Sequence, residues 1–203
     1  MGMRPRGPGA GRAGDCDGCL WTHRLRWGGR VTLAHDAALD IAAAVLAGPR
    51  TARLPQALVH NNELATNVFA NQDGKRLDGD FSIVATARPG KGLDTLRAII
   101  DAEIRKLAAE GPNARELEQA KNTIEASFLR RIESVMGKAD QLNAYFYQTG
   151  KPDSFQSDID RFRRVTAADV QRVVKQYLLT NRVMISVVPQ GKLELAAKKG
   201  VAQ

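Results

Sequence analysis

The spacing of apolar positions divides the chain into helices, two paired strands and a last strand. From Asp36 to Ala47 apolar residues fall at 38, 39, 41, 42, 45 and 46, a helical stripe that Asp36 is placed to open. Gly48-Pro49 breaks it. Arg53 to Asn62 repeats the helical spacing over a shorter run, with Leu54, Leu58 and Val59 on one side and Pro55 in the first turn. Residues 65–72 and 80–88 then predict paired strands. Phe81-Ser-Ile-Val-Ala-Thr-Ala87 is rich in β-formers, and Asp73-Gly74 and Asp78-Gly79 supply the turn chemistry between the two.

After Pro89-Gly90 the period is helical again. Leu93 to Ala109 places Leu96, Ile100, Ile104 and Leu107 on one face, and Gly111-Pro112 stops it. Asn113 and Glu116 have the spacing of a capping box, opening a long helix through Leu117, Ala120, Ile124, Phe128, Ile132 and Val135. A further helix over 139–148 carries Leu142, Tyr145 and Phe146 as packing groups. Thr166 and Asp169 start another that runs through Leu178, and Arg182 to Val188 is a closing strand before Pro189. Helices between separated strands, with no βαβ alternation, predict an α+β domain: an antiparallel or mixed sheet packed against several helices.

Composition changes this picture mainly at the ends. With 43% hydrophobic and 26% charged residues the chain has the balance of a globular protein, and no apolar run approaches the roughly 18 residues of a membrane span. Residues 1–30 differ from the rest, and Met1 to Gly14 is almost entirely Gly, Pro, Arg, Met and Ala, which cannot build a core. The expectation is a disordered leader over 1–30, without the apolar stretch of a signal peptide, an ordered domain over 31–190, and a flexible tail over 191–203. Half of the net charge of +8 sits in that leader, in six arginines against Asp15 and Asp17. A nucleic-acid site should instead cluster its charge on one folded element with stacking aromatics, so nucleic acid is not the expected partner.

Candidate chemistry is sparse. Cys16 and Cys19, the two cysteines, offer two ligands where a structural zinc site takes four, and their acidic, turn-like surroundings lack a flanking strand and helix. His23, His35 and His60 are never one helical turn apart, so the paired imidazoles of a zinc-protease helix are missing. His35 and His60 are placed to satisfy helix ends. Arg88-Pro-Gly-Lys-Gly92 lacks the first glycine and the hydroxyl residue of a phosphate loop and reads as a strand-to-helix turn. Arg161-Phe-Arg-Arg164 reads as a solvated helix face with Phe162 turned to the core. No residue is assigned a catalytic, cofactor-binding or metal-binding role.

Three blocks carry a family resemblance. Asn113-Ala-Arg-Glu-Leu-Glu-Gln-Ala-Lys-Asn-Thr-Ile-Glu-Ala-Ser-Phe128 resembles a helix of the insulinase-like (pitrilysin) zinc metallopeptidases. Val165-Thr-Ala-Ala-Asp-Val-Gln-Arg-Val-Val174, with Tyr177-Leu178 and Val187-Val188-Pro189, resembles their closing helix and strand. Asp36 to Asp40, Leu46-Ala-Gly48, Arg53-Leu54 and Leu58-Val59, followed by Leu64-Ala-Thr-Asn-Val68, resembles the helix–turn–helix and strand of an insulinase-like domain. The resemblance implies one half-unit of a clamshell that closes over a peptide, with zinc held by His-x-x-Glu-His on a separate N-terminal half. Its C-terminal half in many members adds an arginine and a tyrosine that contact substrate. By motif position these fall on Val59 and Thr66, which are neither. The domain's first strand and helix are not recognisable, and the leader stands in their place.

The reading is therefore a non-catalytic C-terminal domain, inactive alone, that completes a peptide-binding chamber for a catalytic partner half. It holds extended peptide by an edge strand near 64–72 or 80–88. An inactive homologue acting as an assembly or binding subunit, and a gene fragment without function, are the alternatives. The resemblance implies zinc on the catalytic half, no cofactor in this chain and a periplasmic parent protein.

Overall fold

The computed structural model describes residues 20–28, 33–74, 78–180 and 182–198. Four strands form one antiparallel sheet in the order β2-β3-β1-β4, with β1 at Leu20–Gly28, β2 at Ala65–Gly74, β3 at Asp78–Ala87 and β4 at Arg182–Val187. Val68 lies opposite Ala85, Phe81 opposite Leu25, and Ile185 opposite Thr22. Strand β1 thus pairs along both edges, between β3 and β4.

That strand falls inside the segment expected to be a disordered leader. The Gly/Pro/Arg composition belongs to Met1–Gly14, whereas Leu20-Trp-Thr-His-Arg-Leu-Arg-Trp27 is rich in strand-favouring Trp, Thr and Leu. The expected leader over 1–30 thus overlaps a strand at Leu20–Gly28. Residues 1–19, with Cys16 and Cys19, lie outside the described residues.

Among the described residues seven helices, besides a single 3-10 turn at Leu193–Leu195, complete the α+β fold. They are α1 (Leu33–Ala47), α2 (Pro55–Asn61, wound as a wide π turn), α3 (Leu93–Glu110), α4 (Ala114–Arg131), α5 (Val135–Thr149), α6 (Phe155–Arg164) and α7 (Ala167–Val173, continuing as a wide turn over Val174–Leu178). Helices cover one face of the sheet. Phe81, Ile83, Ala85 and Ala87 of β3 are buried, while Asp80, Ser82, Val84 and Thr86 at the alternate positions are partly exposed. On β4, Val183, Ile185 and Val187 are exposed.

Helix α1 lies at the centre. Ala37, Ala38, Leu39, Ile41, Ala42, Val45 and Leu46 are buried, so the helix is enclosed on all sides rather than along one stripe. It packs against β2, α4, α6 and α7. It begins a turn earlier than the sequence suggests, which puts Asp36 inside the first turn rather than at the cap.

Both capping boxes form. Asn113 Oδ1 accepts from the Glu116 N–H at 2.9 Å while Glu116 Oε2 accepts from the Asn113 N–H at 2.8 Å. Thr166 Oγ1 accepts from the Asp169 N–H at 3.2 Å and Asp169 Oδ2 from the Thr166 N–H at 3.1 Å. The long helix expected to continue through Val135 instead stops after Arg131. Ser134 caps a new helix by accepting from the Gly137 N–H at 3.0 Å. The turn is tight enough that a Cβ on Gly137 would lie 1.8 Å from the Arg131 carbonyl oxygen.

Two ties hold the last segment. Asp101 on α3, only 6% exposed, forms a two-pronged pair with Arg182 at the start of β4, Nη2 donating to Oδ2 at 2.8 Å. The tail expected to fray after Gly191 is bound through residue 198. Lys198 N–H donates to Asp94 Oδ1 and Arg97 Nη1 donates to the Lys198 carbonyl, each at 2.8 Å, because α3 presents a matched acceptor and donor there.

Removing one partner of a buried pair usually costs about 3–5 kcal/mol. Arg182 keeps 24% of its side chain exposed and can partly rehydrate. Asp101→Ala is therefore expected to cost about 2 kcal/mol, read from the urea midpoint; an unchanged midpoint would show the pair to be solvated in solution. Glu63, between α2 and β2, has φ 47°, in the left-handed region where a side chain is strained. Glu63→Gly is expected to stabilise by about 0.5–1 kcal/mol, the relief of strain exceeding the added freedom of the unfolded chain. A loss of stability would mean that the Glu63 side chain is held by contacts stronger than the strain.

Candidate functional site

The sheet order decides between the two strands expected to offer an edge. Strand β3, the 80–88 candidate, is internal: it pairs with β2 on one side and β1 on the other, so its backbone groups are used on both. Strand β2, the 64–72 candidate, is a sheet edge with β3 on one side and no other strand partner among the described residues. Its entrance is set by Glu63 and by two backbone bonds, Leu64 N–H to the Leu58 carbonyl and Arg88 N–H to the Leu64 carbonyl, both 2.8 Å. The register shifts between Ala65 and Asn67, making Thr66 the extra residue of a bulge.

Val59 and Thr66, the positions matching the family's arginine and tyrosine, do not come together as a polar pair. Val59 sits half-buried on α2 against the core. Thr66 is exposed, and its Oγ1 donates to the Thr86 carbonyl at 3.2 Å, a bond that fastens the bulge to β3.

Beside this edge lies a cleft of about 460 Å³. Ala70, Asn71 and Gln72 of β2 form one wall, and α4 and α6 form the others. Its floor is α1, where Ala43, Ala44 and Gly48 leave room and Asp40 supplies a carboxyl. Gly48 is required where it stands: a Cβ would lie 2.5 Å from the Ala44 carbonyl oxygen that closes the helix.

The floor is charged, and sequence reasoning missed it. Arg161 of α6 reaches inward, Nη1 donating to Asp36 Oδ2 at 2.8 Å and Nε to Asp158. Gln72 Nε2 donates to Asp36 Oδ1 at 2.6 Å, and the Tyr145 hydroxyl donates to Asp158 Oδ2 at 2.7 Å. Arg161 is thus not part of a solvated face, because Asp36 on the facing helix α1 and Asp158 one turn earlier on α6 draw it in. Arg163 and Arg164 of the same run are exposed, and Phe162 packs against the core as expected. The available signal was that α1 is apolar all round except at His35, Asp36 and Asp40, the two carboxylates standing one turn apart. Two carboxylates on a helix with no solvent side require partners elsewhere in the chain.

Asp36 and Asp158 have such partners, whereas Asp40 makes no hydrogen bond or ion pair with the described residues. Burial pushes its carboxyl up to about 7, and the charges of Asp36 and Asp158 add to the rise against the opposing pull of Arg161 and Arg131.

The three histidines serve other ends. His60 is exposed in the last turn of α2, and His23 lies on β1. His35 binds side chains rather than the helix end: its Nε2 lies 2.7 Å from Arg172 Nη1 and its Nδ1 3.0 Å from the Tyr177 hydroxyl. A guanidinium only donates, so Nε2 accepts and Nδ1 carries the proton. Burial and then the Arg172 charge lower the His35 pKa, favouring that neutral form. Arg88–Gly92 is a turn, with Lys91 N–H donating to the Arg88 carbonyl at 3.1 Å. Among the described residues no three His, Cys, Asp or Glu side chains are grouped to hold a metal ion.

The raised pKa of Asp40 has a defined sign. The native protein keeps this proton between the ordinary value of 3.8 and about 7, where the unfolded chain has lost it. The group's contribution is therefore full below 3.8 and is lost as pH rises through about 7. Asp40→Asn removes that loss. Its stability gain over the wild type should be small near pH 4 and reach at most about 4 kcal/mol at pH 8, read from urea unfolding at both values. An equal gain at both would show that Asp40 is not the titrating group.

Residues 27–124 match the family model of the peptidase M16 inactive domain. No sequence among the curated proteins matches the chain. Among solved structures, the inactive peptidase domain of a candidate zinc protease from Bordetella parapertussis aligns with a TM-score of 0.74 at 25% identity, over 88% of this chain and 96% of that one. A protease from Helicobacter pylori aligns at 0.75 and 20% identity over 85% of this chain, which spans 41% of that protein's length. A chain of complex III2 from Candida albicans aligns at 0.71 and 12% identity, over 84% of this chain and 42% of that one, a likeness of fold alone. The insulinase-like pattern in the sequence, the α+β fold and these matches agree: residues 27–124 match the peptidase M16 inactive domain, and the fold is that of such a domain.

Proposed function

We propose that the chain is the non-catalytic wall of a peptidase chamber and captures extended peptide as an added strand on β2. The observation that carries this reading is the position of the β2 edge beside an open cleft. An edge strand offers a row of N–H and C=O groups to any extended chain, and capture through the backbone tolerates varied side chains. The catalytic half, on the same parent chain or a separate subunit, would supply zinc, which activates the water that attacks the peptide bond. This chain contributes position: a peptide fixed along β2 is held straight and kept from folding back.

A second reading, an assembly subunit without a peptide site, draws on the fold shared with the Candida complex III2 chain. It predicts co-purification with a large assembly and no peptide capture.

The test uses a fluorescent, unfolded peptide and the full chain. By itself the chain should bind the peptide and cleave none, with or without chelator. Along a strand the N–H and C=O of one residue point to one side and those of the next residue to the other. Of Ala70 and Asn71, one therefore faces β3 and the other faces the cleft. Ala70→Pro and Asn71→Pro should separate accordingly, one weakening the sheet and the other leaving stability largely intact while cutting peptide affinity about tenfold. Peptide affinity unchanged in both variants, or absent in the wild type, would overturn strand capture. Chelator-sensitive cleavage by the chain alone would overturn its non-catalytic role.

A further inference from the structure

We propose that helix α5 is a dimerisation surface, pairing antiparallel with α5 of a second copy of this chain. The inference is independent of strand capture on β2.

The sequence marks Leu142, Tyr145 and Phe146 as packing groups of this helix, yet only Tyr145 is buried. Its ring meets Phe155 of α6 edge-on at 5.2 Å, and its hydroxyl donates to Asp158. Gln141 and Ala144 lie half-buried on the same side. On the opposite side Val135, Ala139, Leu142 and Phe146 follow one another at steps of four, three and four residues, the spacing of a helix–helix seam. Met136 and Tyr147 widen the seam along one flank. Val135 is 85% exposed, Tyr147 72% and Phe146 61%. By the turn of the helix, Lys138 borders this face on one side and Asp140 on the other, so no charge falls within it.

The area and the shape fit a second copy. These side chains leave roughly 600 Å² of apolar surface in water, the upper end of what a monomer carries in one patch. Two copies meeting there would bury on the order of 1,200 Å², the lower end of the range for specific, stable pairs. The seam is also complementary to itself. An antiparallel pairing about a two-fold axis between Ala139 and Leu142 sets Ala139 against Leu142 and Val135 against Phe146. Each contact then joins a smaller side chain to a larger one, and each occurs twice.

Both ends of α5 are fixed within the chain. Ser134 caps its start, and Gly150, at φ 73°, closes its end by donating its N–H to the Phe146 carbonyl at 2.9 Å. The seam is therefore preformed, and pairing costs little ordering of the backbone.

The test is sedimentation equilibrium of the full chain from about 1 µM to about 100 µM, the range an interface of this size calls for. The chain should pass from monomer to dimer, with a dissociation constant in the micromolar range. Val135→Glu and Phe146→Lys should each weaken pairing about tenfold or more. Both side chains lie in water in the monomer, and both new charges suit the helix dipole, so the urea midpoint at about 1 µM should stay unchanged. Mixing the two variants should restore the dimer, since antiparallel pairing brings positions 135 and 146 together with opposite charges. A chain that stays monomeric throughout would overturn the proposal, as would a dimer that neither substitution weakens. Variants that both lose pairing and do not recover on mixing would overturn the antiparallel seam. A monomer whose α5 is covered only on binding a catalytic peptidase half would assign the face to that half and overturn pairing with a second copy.

Discussion

Enclosure of helix α1 on every side is the constraint on which the rest of this structure depends. Strand β2 lies against it on one side, and α4, α6 and α7 close the others. A helix buried all round must be narrow if its neighbours are to approach, and α1 achieves this with alanines at 37, 38, 42, 43, 44 and 47. The close approach shows at Gly74 of β2, where a Cβ would lie 2.2 Å from Asp36 Oδ1. Polar residues on such a helix cannot turn to water. His35, Asp36 and Asp40 are therefore drawn into the seams between elements, where Arg172, Tyr177, Gln72 and Arg161 meet the first two.

The cleft follows from the same constraint. Small residues let the neighbouring elements close over most of α1, but along Ala43, Ala44 and Gly48 the wall of α4 and α6 stands off β2 and a channel remains. Asp40 opens onto that channel. It is the carboxyl of the α1 seam without a hydrogen-bonding partner among the described residues, and burial together with Asp36 and Asp158 raises its pKa to about 7. The edge strand, the space beside it and the unpaired carboxyl thus share a structural origin.

Much of the fold was legible because its elements announce themselves locally. The capping boxes at Asn113–Glu116 and Thr166–Asp169, the β-rich run at Phe81–Ala87 and the breaks at Gly48-Pro49 and Gly111-Pro112 are short-range chemistry, and each appears where the sequence places it. What was not legible is long-range. Strand β1 lies next to a Gly/Pro/Arg-rich segment whose composition was allowed to speak for it, and its strand character depends on partners in β3 and β4 far along the chain. Arg161 read as a surface residue since nothing near it in sequence shows that Asp36, 125 positions away, will meet it. The break after Arg131 depends on one serine and one glycine within a continuous apolar period, a local signal outweighed by the periodicity around it. Whether β2 or β3 formed the edge could not be read locally, because an edge is defined by strand order rather than by any strand's own residues.

Val59 and Thr66 illustrate how a family position can change its side chain while its place in the fold is kept. Where the resemblance implies an arginine and a tyrosine, this chain has a packing residue on α2 and a bulge residue fastened to β3. A domain that gripped its substrate through those two side chains would have lost its hold. A domain that grips through the β2 backbone has not, since backbone groups are indifferent to the side chains beside them. Backbone capture alone gives little preference among peptides, so discrimination has to come from whatever borders the edge. What borders it in this structure is a cleft floored by Ala43, Ala44 and Gly48 of α1, the helix that organises the core. The β2 edge is thus bordered by α1, the part of the fold that packing allows to vary least.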